Sequence, residues 1–253
     1  MFKVINWLFS KLTETTDLSL YLYKSFSRVL PAPTVVVRGV PIKIVVPLHQ
    51  TPVAMSIRSW NTREPETLDW IDSFEPGCLF FDIGCSFGNE TLYAALRPPR
   101  KKIVAFDLDL QAGFMLAYNL AINNITWVEQ YLLAVSSHSG FTQVAPHTVY
   151  TSVCNRPKYD RVPYNIWQMS LDEFADLTDQ IPDYVKIDTD GAEDCIVKGM
   201  SRILLDRKFK SALIEVNPRT RDSVVGSFCD VGFSFRQVSD WNEFNTCNIV
   251  FHR

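Results

Sequence analysis

Five apolar runs, separated by segments of helical periodicity, constrain the fold of this chain more than anything else in it. They are "CLFFDI" (78–83), "KIVAFD" (102–107), "ITWVEQYLLAV" (125–135), "DYVKID" (183–188) and "SALIEV" (211–216). Between them the spacing predicts four helices: over residues 89–96, over a segment with Leu110, Phe114, Ala117 and Ala121 on one face, over residues 193–205, and after Pro218. Strands that are apolar along their whole length, alternating with amphipathic helices, specify a parallel sheet covered on both faces. The chain closes differently, because "GFSFRQV" (232–238) and "TCNIVFHR" (246–253) have no helix between them and are expected to pair as an antiparallel hairpin. The expected class is α/β, a doubly wound Rossmann-like sheet.

The 253 residues, 47% apolar and 13% aromatic, suffice for one large domain with an appendage. Residues 34–47, "TVVVRGVPIKIVVP", read as a hairpin turning at Arg38-Gly39, and residues 64–74 as a helix with Pro65 in an acidic first turn. This divides the chain into an N-terminal helical and hairpin extension, residues 1–63, and a sheet domain, residues 64–253. Residues 1–30 hold no apolar run long enough to span a bilayer and lack the h-region and cleavage site of a signal peptide. Ile5, Leu8, Phe9 and Leu12 fall at helical spacing, which suits docking on the domain, on a second copy or on a membrane surface. Six cysteines (Cys78, Cys85, Cys154, Cys195, Cys229 and Cys247) show no C-x-x-C spacing and read as thiols in a reducing, cytoplasmic compartment. A net charge of -3, from 25 basic and 28 acidic residues, gives no field that gathers phosphate backbones, so nucleic acid is excluded as the main partner. "RPPRKK" (97–102) and "RKFK" (207–210) read as solvated connections.

In a doubly wound sheet ligands sit beyond the carboxyl ends of the strands. Polar residues cluster there in this sequence: 82–89 after the first run, Asp107 after the second, "KIDTDGAE" (186–193) after the fourth, and 215–217 after the fifth. In "FDIGCSFGNET" (81–91), Gly84 and Gly88 let backbone amides approach a ligand, and the alternative is an ordinary turn needing positive φ at Gly84. Asp107 lies 19 residues beyond Gly88, where an acidic side chain accepts the hydroxyls of a nucleoside ribose. A dinucleotide site wants G-x-G-x-x-G. Here Asp82 stands where a pyrophosphate would have to lie, and an anionic group suits the cationic sulfonium and amino group of S-adenosylmethionine better. An NAD-dependent oxidoreductase is the rival in the same fold, and a non-catalytic interaction module is the rival from another class.

"FFDIGCSFGNETLYAA", "VAFDLD", "SLDEF", "DYVKIDTDGAEDCIVKGM" and "ALIEVN", in this order, resemble the FkbM family of S-adenosylmethionine-dependent methyltransferases. The resemblance covers residues 64–217. It implies a seven-stranded methyltransferase sheet and O-methylation of a hydroxyl on a sugar or other small molecule. It also implies a cofactor-binding set of Asp82, Gly84, Cys85, Ser86, Gly88, Asn89, Asp107 and Ala134. Asp82, Gly84 and Gly88 would hold the methionine part and Asp107 the ribose, while Asp188, Asp190 and Glu193 would line the methyl-transfer side. The chain departs from the family at Gly84-Cys85-Ser86, usually Gly-Ala-Asn, and at Phe106-Asp107-Leu108, usually Phe-Glu-Pro.

Methyl transfer needs positioning and a base for the hydroxyl proton. Asp188, at the end of a central strand, is the first candidate, followed by Asp190 and Glu193; each could instead cap the following helix or the Gly191 turn. Asp188, Glu215 and Asn217 together offer oxygen ligands for Mg²⁺ or Ca²⁺ as a minor alternative. His138 and His147 are loop histidines of no assigned role. Residues 146–167 form a long irregular insertion of the kind that serves as a lid or binding loop, and Tyr150, Tyr159, Tyr164 and Trp167 could floor a site for a saccharide or pin the insertion. The partner expected is a small-molecule acceptor, with self-association left open.

Overall fold

Residues 32–45, 57, 59–144, 164–189 and 191–253 are described by the computed structural model. The apolar N-terminal positions Ile5 to Leu12, and His147, Tyr150, Tyr159 and Asp190, lie outside the described residues. The chain divides into Met1–Pro33 and Thr34–Arg253, and the elements that follow belong to the second unit. In chain order they are β1 (Thr34–Val37), β2 (Val40–Lys43), α1 (Trp60–Arg63), α2 (Pro65–Asp72), β3 (Leu79–Ile83), α3 (Asn89–Leu96), β4 (Lys102–Asp107), α4 (Leu110–Ile122), β5 (Val128–Leu132), β6 (Ala134–Val135) and β7 (Gly140–Val144). Then come β8 (Tyr164–Met169), α5 (Leu171–Thr178), β9 (Tyr184–Ile187), α6 (Glu193–Lys198), α7 (Ser201–Leu205), β10 (Ser211–Val216), α8 (Arg221–Cys229), β11 (Ser234–Gln237) and β12 (Cys247–His252).

The main sheet has seven strands in the order β5-β4-β3-β9-β10-β12-β11. β3, β4, β5, β9 and β10 pair in parallel, and β12 runs antiparallel to both β10 and β11, which is the expected terminal hairpin. Successive strands run outward from β3 on one side and from β9 on the other. The order therefore reverses between β3 and β9, and their carboxyl ends are where a sheet of this kind takes a ligand.

Each face has its own core. Phe81, Ile83, Val185, Ile187 and Ile214 pack under α5 to α8 through Phe174, Ile196, Leu204 and Phe228. On the other face Phe80, Tyr184 and Leu213 pack with Trp70 of α2, Leu92 and Tyr93 of α3, Leu116 of α4, and Val37 and Ile42 of the β1–β2 hairpin. Burying one such large side chain contributes about 1.5–3 kcal/mol, so the two layers supply the main driving force. The hairpin turns where expected, with Arg38 at φ 45° and Gly39 at φ 82°, the two left-handed residues of a two-residue turn matched to strand twist.

Several elements differ from the expectation. α4 is present, but its buried residues are Ala112, Gly113, Met115, Leu116, Asn119 and Leu120, while Leu110, Phe114, Ala117 and Ala121 face outward. The run 125–135 breaks after Leu132, since Ala134 and Val135 leave the main sheet to pair with Gln168 and Met169. They start a three-stranded sheet, order β6-β8-β7, in which Phe141 lies opposite Trp167. Tyr164 and Trp167 thus sit in a strand, not in an irregular insertion. The helix expected over 193–205 is two, because at Gly199 the chain passes so close to β6 that a Cβ would lie 2.1 Å from the Ser136 carbonyl oxygen. Among the described residues no helix is long and apolar enough to cross a membrane.

Candidate functional site

The loop leaving β3 is shaped by its own packing. Gly84 turns at φ 79°, and its amide and that of Cys85 donate to the Phe106 carbonyl at 2.9 and 3.1 Å, tying the loop to the end of β4. A Cβ on Gly84 would meet the Asp188 carbonyl oxygen at 1.8 Å, and one on Gly88, at φ 94°, would meet Leu116 Cδ1 at 2.4 Å. Gly84 is therefore required by the close approach of β3 to β9 as well as by its φ, and Gly88 by its φ. Cys85 is buried, Ser86 takes φ 50°, and Asn89 opens α3 half-buried.

Asp107, at the end of β4, binds the same loop. Its Oδ2 accepts the Ser86 amide at 2.7 Å and its Oδ1 the Asp109 amide at 2.8 Å. Burial pushes its carboxyl up to about 6 against these amides, which leaves it ionised at neutral pH. Ala134 is buried in β6, packed with Val144, Ile166, Leu108 and Tyr164.

At the β3/β9 strand ends the central residue is a lysine. Lys186 of β9 is 2% exposed, pairs in register with Asp82 of β3, and holds Asp188 at 2.7 Å. Glu64, before α2, Glu90 of α3 and Glu215 of β10 complete a ring of five carboxyl groups around it. Their charges cannot all persist in a buried space. Burial, with Asp188 beside it, pushes Glu215 up to about 9, and burial pushes Glu64 up to about 7 and raises Asp82 and Glu90. Burial works against Asp188 as well, but Lys186 outweighs it and holds that carboxyl below its ordinary value. Burial would lower Lys186; the surrounding carboxylates, Asp188 first, raise it well above its ordinary value.

The sequence-based candidates fare differently within this ring. Asp188 keeps 31% of its side chain exposed at the strand end. Asp82 is fully buried: its Oδ2 accepts the Thr91 hydroxyl at 2.5 Å, and its Oδ1 has no hydrogen-bond partner. Glu193 is also buried, with Oε1 accepting the Gly191 amide at 2.8 Å and the Thr189 hydroxyl at 3.1 Å, so it closes the turn before α6. Asn217 Oδ1 accepts the Arg219 and Thr220 amides at 2.9 and 3.2 Å, which engages it in the turn before α8. Among the described residues no group of three or more His, Cys, Asp or Glu side chains is placed to hold a metal ion. His138 contacts Ser137 and Gln168 on the exposed side of the small sheet. Lys186, Glu64 and Glu90 were not singled out as site residues, although a lysine inside the otherwise apolar run "YVKI" was a usable signal.

Neither a family model nor a curated protein matches the sequence. Solved structures do match in fold. Methyltransferase FkbM from Methylobacillus flagellatus KT superposes with a TM-score of 0.55 at 13% identity, over 82% of this chain and 56% of that one. The chain thus spans little more than half the length of that protein. Magnesium protoporphyrin IX methyltransferase from Synechocystis PCC 6803 matches with a TM-score of 0.48 at 12% identity, over 83% of this chain and 85% of that one. The precorrin-6y C5,15-methyltransferase of Geobacter metallireducens GS-15 gives 0.46 at 14%, over 75% and 88%. The protein has the Rossmann-like methyltransferase fold, seven strands with a terminal antiparallel hairpin.

Proposed function

We propose that the protein is an S-adenosylmethionine-dependent methyltransferase acting on a hydroxyl of a sugar or another small molecule. The observation that carries this reading is the carboxyl ring around Lys186 at the β3/β9 strand ends. Four of the five carboxyl groups around the buried ammonium hold their protons more tightly than usual and are ready to ionise against an incoming cation, and the Asp82 Oδ1 atom is buried without a hydrogen-bond partner. Such a donor set suits a ligand bearing a sulfonium and an amino group, and it opposes a pyrophosphate, which weighs against NAD. Asp107, ionised and with further lone pairs on both oxygens, is the residue to accept the ribose hydroxyls.

When bound, S-adenosylmethionine supplies an electrophilic methyl carbon, so the remaining needs are alignment of the acceptor and a place for its proton. Asp188 meets the second need. It is partly exposed at the strand end, and Lys186 holds it in the ionised form that can take a hydroxyl proton. Lys186 acts through Asp188 and is a positioning residue. Glu193 and Asp190 keep in this proposal the methyl-transfer role that the sequence resemblance implies, and choice of acceptor falls to residues 146–167. Free Cys78, Cys85, Cys195, Cys229 and Cys247 support the reducing, cytoplasmic setting.

A second reading has an observation of its own. Gly84 and Gly88 are explained by backbone conformation and internal packing, and one oxygen each of Asp82 and Glu193 is already engaged within the protein, as in a fold kept for interaction alone. Incubation with methyl-labelled S-adenosylmethionine and a set of simple sugars and phenols separates the two. The methyltransferase reading predicts label in an acceptor and a loss of about 10²- to 10⁴-fold in rate for Asp188→Asn. Transfer at full rate by that variant would remove Asp188 from the mechanism, and no transfer to any acceptor would favour the interaction module.

A further inference from the structure

A groove of about 820 Å³ lies at the other end of the sheet, between α2 and the terminal hairpin. It opens at Ser211, the first residue of β10, whereas Glu215 of the carboxyl ring lies four residues on, roughly 13 Å along the strand. The groove exists because one face of the hairpin has no helix over it. Leu213, Val250 and Arg236 stand side by side across β10, β12 and β11, so Arg236 points to the same face as Leu213, whose cover is α2. Beyond α2 that face is open, and all four residues of β11 are exposed.

Its charges are unequally satisfied. Of the acids along it, Asp69 pairs with Arg38 at 2.7 Å and Glu75 with Lys210, while Glu66, which accepts the neutral Asn248 Nδ2 at 3.0 Å, leaves one negative charge to set against two arginines. Arg207 and Arg236 line the same groove, are exposed, and have no side-chain hydrogen bond or ion pair among the described residues. His252 is exposed beside them. Trp70 stiffens the wall, its indole N–H donating to Ser211 Oγ at 3.0 Å. In a protein of net charge -3, two unpaired guanidiniums on one concave surface make a local positive field. Guanidinium forks match the oxygens of a phosphate in pairs.

We infer that this groove binds a phosphate-bearing ligand through Arg207 and Arg236. The phosphate belongs to a soluble phosphorylated compound or to a lipid headgroup, and the two sources are separable. Inorganic pyrophosphate is titrated calorimetrically, at low salt, into the protein and into Arg207→Ala, Arg236→Ala and the double variant. Flotation with phosphatidylcholine vesicles, with and without phosphatidylglycerol, is run on the same four proteins. Both arginines are exposed, and far-UV circular dichroism checks that each variant is folded. The expected result is saturable binding that weakens about tenfold in each single variant, is lost in the double variant and weakens with added salt, while S-adenosylmethionine binding is unchanged. Pyrophosphate binding assigns a soluble ligand; flotation only with phosphatidylglycerol, lost in the double variant, assigns a headgroup. No binding of either probe, or binding that survives in the double variant, overturns the inference and leaves the methyltransferase reading untouched.

Discussion

A lysine buried to 2% exposure needs negative partners, and Lys186 has five carboxyl groups around it. Glu215 shows what this crowding does. Folded, it holds its proton up to about 9, against an ordinary value of 4.5. Between those values the folded chain binds a proton that the unfolded chain has released, so stability falls as pH rises through the interval. Glu64, raised to about 7, acts in the same direction over a narrower range. Thermal melts of the protein and of Glu215→Gln from pH 5 to pH 9 are expected to show a declining melting temperature in the first and a flatter profile in the second. Parallel profiles would mean that Glu215 ionises freely and that the ring is solvated. The strand ends 82–89, 186–193 and 215–217 were grouped from the sequence, but Glu64 and Glu90 join them only when α2 and α3 are packed on the sheet. Asp82, by contrast, was legible as a strand-end acid, yet the structure seals it against Thr91.

Among the elements, α4 shows the limit of reading apolar periodicity. Leu110, Phe114, Ala117 and Ala121 keep helical spacing, but they face outward, with Phe114 70% exposed. The inner face is harder to recognise because it holds Gly113 and the polar Asn119. The side-chain amide of Asn119 is fully bonded, to Val45 N and O and to the Phe87 carbonyl, which is how a polar residue can be buried there. Leu116→Ala is therefore expected to cost about 2–5 kcal/mol and Phe114→Ala less than about 0.5 kcal/mol, as read from urea unfolding. The reverse order would put the buried face back where the periodicity placed it. The split falls at Gly199, a local stop signal that the apolar periodicity ran through, and the place where a Cβ would meet the Ser136 carbonyl oxygen, more than sixty residues earlier in the chain.

At the scale of the molecule, the parallel sheet was readable because its inner strands β3, β4, β9 and β10 are buried on both faces and so are mostly apolar, while the edge strand β5 is not buried. The terminal hairpin was readable because no helix fits between its strands. β6, β7 and β8 were missed, since their short, half-exposed runs resemble loop sequence. This architecture gives the protein two separate strand-end regions, the carboxyl ring at the β3/β9 reversal and the open groove beneath the hairpin. The central claim is that the first is a cofactor site. Calorimetric titration of S-adenosylmethionine, S-adenosylhomocysteine and NAD into the protein and into Asp107→Ala tests it most directly. Saturable binding of the two adenosyl ligands is expected, at least tenfold weaker in a folded Asp107→Ala variant, with no binding of NAD. Absence of adenosyl binding to the folded protein, or binding indifferent to Asp107, would contradict it.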